Sequence, residues 1–233
     1  LHESGHAMYE KGVDAAYTRT PIATDLIGLY AVGGVSYGAH ESQSRLWGNQ
    51  VGRCREFWAN HFGEARDAFK KQLADVTEDE FFRAINRSMP SLILVEADEL
   101  TYDFHIMLRA ELEAKMVDGS LEVADLPEAW NAAMKEYLGV DVPDDAQGVL
   151  QDVHWSSGQI GTFCNYTIGN IMAAQLFDTA TSENPGIQTA LDGADYAPLR
   201  NWLTDKVAQH GRRYTRDELL ENATGRALDP EPY

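Results

Sequence analysis

LHESGHAMYE, residues 1–10, holds the pattern H-E-x-x-H at His2, Glu3 and His6. The spacing has a mechanical meaning only in a helix. Residues four apart share a helical face, so two imidazoles converge on one metal ion, and the Glu between them stands beside the metal as a base without ligating it. Residues Ser4 to Glu10, Gly5 among them, can continue such a helix, and Gly12 offers a stop.

A catalytic metal site takes three protein ligands and keeps one position open. Glu10 shares the face of His2 and His6, but it lies about 12 Å beyond His2 along a helix, too far for ligand bonds of about 2 Å. The third ligand must come from another element. AHESQSRLW, residues 39–47, offers Glu41, with His40 either competing as a ligand or supporting one. Glu41 is expected to start a helix running through SQSRLWGNQVGRCREFWANHF, whose apolar face carries Leu46, Trp47, Val51, Cys54, Phe57, Trp58 and Phe62.

The rest of the 233 residues also reads as helical, which makes an all-α fold in one domain the expectation. Predicted helices follow Thr77 as N-cap up to Pro90, run from Ser91 to Asp118 and Gly119, and start at Leu126 to end near Gly139. Further ones cover 144–154, 165–181, 195–210 and 215–224. Only Tyr30 to Tyr37 resembles a strand, weakened by its glycines. Lys and Arg number 19 against 37 Asp and Glu, a formal charge of −18, which argues against nucleic acid as a partner. The most apolar run, residues 26–39, is too short and glycine-rich to span a membrane. Cys54 and Cys164 imply neither a disulfide framework nor a cysteine metal site, and Cys54 reads as a small core residue on a helix face.

HESGHAMYEKG at 2–12 and HESQSRLW at 40–47 are followed by ILVEAD at 93–98, ELTYDFHIMLRAELE at 99–113 and GVLQDVHW at 148–155. In order and spacing these blocks resemble the carboxypeptidase Taq family of zinc-dependent metallocarboxypeptidases. ILVEAD is similar to that family's I-R-x-x-A-D motif, and GVLQDVHW matches its G-x-x-Q-D-x-H-W motif in full. The resemblance runs on to ENATGRALDP at 221–230. It implies a multi-helix, zincin-like body, the C-terminal part of a two-lobed helical peptidase with a deep groove. On that view residues 1–233 form one catalytic region, a fragment lacking the family's N-terminal half and last helix.

What the resemblance implies for function is release of C-terminal residues from a peptide substrate, by a cytoplasmic homodimer. His2, His6 and Glu41 would hold Zn2+, although Co2+ or another divalent ion suits the same donors. Glu3 would be the base. Oxyanion donors should reach in from another element, with His154 the leading candidate and Tyr166 the next, Gln151 or Asp152 positioning their neighbours. Glu96 and Asp98, on the long helix, would orient the imidazoles or form salt bridges, for instance with Arg45 or Arg53. Arg45 could instead hold a substrate carboxylate. His61, His105 and His210 read as surface or core residues.

Leu94 stands where the resemblance expects Arg, Thr162 and Cys164 where it expects Tyr and Pro, and Gly48 where it expects Glu. These departures touch substrate handling and spare the proposed ligands. Two alternatives therefore stay open: a zinc peptidase of endo or amino cleavage mode, and a non-catalytic helical metal-binding protein.

Overall fold

The computed structural model describes residues 1–17, 20 and 37–233, and every regular element among them is helical. In chain order these are α1 (His2–Gly12), α2 (Tyr37–Arg45), α3 (Arg55–Ala68), α4 (Glu78–Ile85), α5 (Tyr102–Asp118), α6 (Leu126–Leu138), α7 (Cys164–Glu183), α8 (Gly186–Asp192), α9 (Ala197–Lys206) and α10 (Arg216–Thr224). Single 3-10 turns and one π-helical turn join them. Of the expected strand, residues 30–36 lie outside the described residues, and Tyr37 opens α2. No helix among the described residues is long and apolar enough to cross a membrane.

Two compact units make up the chain: Leu1–Ile85 with Ile168–Tyr233, and Asn86–Thr167. In the first, α1 packs on α2. Tyr9, Leu46 and Trp47 share a buried core with Met172 and Leu176 of α7 and Leu220 of α10. Burial of each such Leu or Met stabilises the fold by about 1.5–3 kcal/mol relative to exposure. Thr77 and Glu80 exchange hydrogen bonds as a capping box at the start of α4, and Thr215 and Glu218 do the same for α10.

The long helix expected from Glu41 to Phe62 is broken. Glu41 lies inside α2, four residues after its start, and the chain then passes through a π-helical turn, Leu46–Val51. Trp58 Nε1 donates to the Gly52 carbonyl at 2.8 Å, holding the break. Cys54 is not on a helix face but caps α3, its sulfur accepting from the Phe57 amide. Residues 195–210 divide between α9 and a 3-10 turn at Ala208–His210, and α4 stops at Ile85, short of Pro90.

In the second unit α5 lies on α6, with Trp130 fully buried among Leu108, Leu112, Met134 and Leu138. The expected helix from Ser91 does not form until Tyr102. Asp98 accepts from the Ser88 and Thr101 hydroxyls and from the amides of Met89, Leu100 and Thr101, so a local carboxylate holds the chain as a loop. Glu96 and Asp98 thus precede the long helix rather than ride on it, and Glu96 is exposed. Residues 144–154 are turns, not a helix. Gly119 and Gly139 close α5 and α6 in the left-handed conformation, where the sequence placed the stops.

His105 on α5 is fully buried. Burial, aided by the charge of Arg109, pushes its pKa down to about 4. Between pH 6.5 and 4 the unfolded chain takes up a proton that the folded one refuses, so acidification lowers stability. Asp98, whose hydroxyl and amide donors outweigh burial and hold it at about 2, adds a second loss between its ordinary value and about 2. Urea unfolding is expected to show roughly 2–3 kcal/mol less stability at pH 4.5 than at pH 7 from His105 alone. His105→Leu should remove that difference, and an unchanged pH slope in this variant would contradict the assignment.

Candidate metal centre

His2 and His6 project from α1 with ring centroids 4.9 Å apart and planes at 86°. Glu41 of α2 faces both: its Oε2 lies 3.3 Å from His6 Nε2 and 3.8 Å from His2 Nε2. The three candidate ligand atoms all lie within 4.8 Å of one another. A tetrahedral zinc with bonds of about 2.0–2.1 Å sets its ligand atoms about 3.3 Å apart, and the two contacts of Glu41, at 3.3 and 3.8 Å, lie close to that spacing.

This convergence depends on close approach of backbones. A Cβ on Gly5 would sit 2.4 Å from the Gln43 carbonyl oxygen and 2.6 Å from Ser44 Cα, so only glycine lets α1 reach α2 beside His6. Behind Glu41, Gly169 of α7 plays the same part, since its Cβ would lie 2.8 Å from Glu41 Cγ. Gly5→Ala is expected to destabilise the fold by about 1–3 kcal/mol, as overpacking against backbone does. Urea unfolding with zinc titration would check this, and a variant with wild-type stability and zinc uptake would contradict the packing argument.

Glu41 is buried and held by its neighbours on α2. Arg45 Nε donates to Oε1 at 3.0 Å, and Ser44 Oγ lies 2.6 Å from the Glu41 carbonyl oxygen and 3.1 Å from Oε2, sharing its one hydrogen between them. Burial opposes its charge, yet the His6 contact and the Arg45 charge outweigh burial and bring its pKa below the usual carboxylate value. Arg45 therefore engages Glu41, the candidate ligand. His2 stays biased to neutrality, because burial lowers its pKa against the raising charge of Glu41. Neutral imidazoles and a charged carboxylate are the forms a divalent ion binds. Glu3 is exposed on α1, next to the candidate ligand His2 in sequence. A Cβ on Gly48 would meet His2 at an ordinary 3.7 Å.

Around His6 a further chain of contacts forms. His6 Nδ1 lies 2.6 Å from His40 Nδ1, and His40 Nε2 lies 2.7 Å from Glu10 Oε1. Both nitrogens of His40 are thereby engaged, one by His6 of the candidate ligand set and one by Glu10.

The second unit gathers Gln151 and Asp152 around Arg109 and brings His154 onto Tyr166. His154 Nε2 lies 2.7 Å from the Tyr166 hydroxyl, the rings meeting edge to face. Burial lowers the His154 pKa. Asp152 Oδ2 accepts from Arg109 Nε at 2.6 Å, and Gln151 Oε1 from Arg109 Nη2 at 2.8 Å. Gln151 also accepts the Leu94 amide and donates to the Leu92 carbonyl. Trp155 Nε1 donates to Glu113, which also accepts the Gly161 amide. The segment 151–155 is thus fastened at Gln151, Asp152 and Trp155, which fixes the backbone carrying His154. Leu94, where the resemblance expects Arg, is buried against Tyr102, Ile106 and Phe163.

Sequence reading missed Arg109 and Glu113. Their signal was available: they lie four apart on the stripe of α5 that also carries Tyr102 and Ile106, two charges on an otherwise buried face.

Comparison with known proteins gives a consistent result. Residues 1–233 match the family model described as carboxypeptidase Taq (M32) metallopeptidase. The chain is 40% identical over 229 residues to carboxypeptidase 1 of Bacillus subtilis, covering 98% of this chain and 44% of that protein. It is 41% identical over 233 residues to thermostable carboxypeptidase 1 of Thermus thermophilus, covering 100% of this chain and 44% of that one. Among solved structures, an M32 carboxypeptidase from Deinococcus radiodurans superposes with a TM-score of 0.90 at 52% identity, over 100% of this chain and 45% of that chain. The chain thus spans less than half the length of the relatives it matches.

Proposed function

Since the chain belongs to the carboxypeptidase Taq (M32) family of metallopeptidases, we propose that its 233 residues act as one catalytic region, the metal-holding part of a zinc-dependent carboxypeptidase that releases C-terminal residues from peptides. The observation that carries this reading is the convergence of His2, His6 and Glu41 to within 4.8 Å. In the proposal these three hold Zn2+, which when bound acidifies water and polarises the scissile carbonyl. Glu3 takes the proton from the attacking water and returns it to the departing amine. Arg45 and Ser44 hold Glu41 so that one oxygen faces the ligand position.

His154 and Tyr166 supply the oxyanion donor in this proposal. The two side chains touch at 2.7 Å, and an imidazole N–H and a phenol O–H are both donors suited to a developing negative charge. Gln151, Asp152 and Arg109 support that pair through the backbone they fasten. A cytoplasmic homodimer acting on free peptides completes the proposal by resemblance, and the charge of −18 disfavours nucleic acid.

The test is product analysis with peptides labelled internally. Zinc-loaded protein should produce a ladder from the C-terminus. It should leave C-terminally amidated peptides intact and treat N-terminally acetylated ones as well as free ones. Chelation should abolish the ladder and zinc restore it. Internal cuts, or release from the N-terminus, would refute the carboxypeptidase reading.

A further inference from the structure

The geometry points to Glu10 and His40 as positioning residues that fix which nitrogen of His6 carries its proton, and thereby how tightly the centre holds zinc. The role rests on the reading of His2, His6 and Glu41 as ligands.

His6 turns Nε2 toward Glu41 Oε2, 3.3 Å away, so Nε2 is the nitrogen that must offer its lone pair to an ion. A neutral imidazole has one N–H, which then belongs on Nδ1. That atom lies 2.6 Å from His40 Nδ1, and two nitrogens so close form a hydrogen bond only when one donates and the other accepts. With His6 donating, His40 Nδ1 accepts, and the proton of His40 sits on Nε2. There it meets Glu10 Oε1 at 2.7 Å, and a carboxylate can only accept. Starting from either end gives one arrangement: His6 Nδ1–H to His40, and His40 Nε2–H to Glu10.

Three further observations fit this role. Glu10 follows His6 by four residues on α1, so the helix that presents the ligand also presents the acceptor that orients its support on α2. The Tyr9 ring meets His40 edge to face at 5.2 Å and holds its plane. Both His40 nitrogens are engaged, so ligation by His40 would break a contact at one end. Glu10, too distant to bind the ion that His2 binds, thus acts on it through two imidazoles.

Zinc affinity, measured by competition with a chromogenic chelator, tests the chain of contacts. Glu10→Gln and Glu10→Met remove the same charge, but Gln keeps an oxygen that accepts from His40. Glu10→Met and His40→Phe are expected to weaken zinc binding by about 10- to 100-fold, with one equivalent still bound at saturation. Glu10→Gln should stay within about fivefold of wild type, a gap that loss of charge cannot produce. With zinc bound, the 15N shifts should report Nδ1–H on His6 and Nε2–H on His40 in the wild type. Equal affinities for Gln and Met, or wild-type affinity in His40→Phe, would overturn the inference. Failure of His40→Phe to bind zinc at saturation would also overturn it, by making His40 a ligand. A wild-type protein that takes up no zinc would refute the centre itself and this role with it. Wild-type uptake that is lost in His2→Ala keeps the centre, whatever happens to the chain through Glu10.

Discussion

Glu3→Gln is expected to lower the rate of C-terminal release by about 10²- to 10⁴-fold, the usual contribution of a positioned base. That corresponds to about 3–5 kcal/mol of barrier. The substitution keeps the size and shape of the side chain and removes only its ability to take a proton. Glu3 is exposed, while the Glu41 carboxylate is held by Arg45 and Ser44, so the ligand geometry does not depend on Glu3. Zinc should therefore remain at one equivalent, and the loss should appear in kcat with little change in KM, as for an interaction made only in the transition state. Glu41→Gln should behave in the opposite order, losing zinc first and activity as a consequence. If Glu3→Gln retained activity within about tenfold, the base would have to be another group, and the role assigned from the helical spacing would fall.

That spacing was legible because it is a property of one helix. His2 and His6 need only α1 to be helical, and the 3.6-residue period then places them together. Glu41 was also legible as a donor, although the helix drawn around it began four residues late and ran on through a stretch that breaks at the π-helical turn. Periodicity averages over a window and does not register one extra residue in a turn. The loops at 91–101 and 144–154 were misread for a related reason. Both carry apolar residues at helical spacing, but Asp98 and Asp144 accept backbone amides a few residues ahead, and these local bonds compete with the helix. Gln151 adds contacts with Leu92 and Leu94, almost sixty positions earlier, which no local pattern encodes. Gly5 was read as a helix residue like its neighbours, and its necessity became visible only with the Gln43 backbone in place.

Arg109→Met is expected to cost about 3–5 kcal/mol, because it strands a charge. Arg109 is fully buried, and its guanidinium reaches Asp152, Gln151 and the His105 carbonyl while lying 4.5 Å from the centroid of the Trp130 ring. Asp152 is almost as enclosed, with its side chain 10% exposed, so without Arg109 it must remain charged in a poor solvent or take up a proton. Replacing both partners tests whether the stranded charge is the cause. Arg109→Met with Asp152→Leu should recover most of the lost stability, since an apolar pair of similar volume often matches a buried ion pair. Urea unfolding of the four proteins in the cycle would measure this, and a double variant no better than the single one would assign the loss to packing on Trp130 instead. The double variant also separates stability from function. It should fold, yet the segment that carries His154 would have lost one of its fastenings. If His154 and Tyr166 serve the oxyanion, kcat should fall in that stable protein while zinc content stays at one equivalent; unchanged kcat would confine the arginine and its partners to holding the fold.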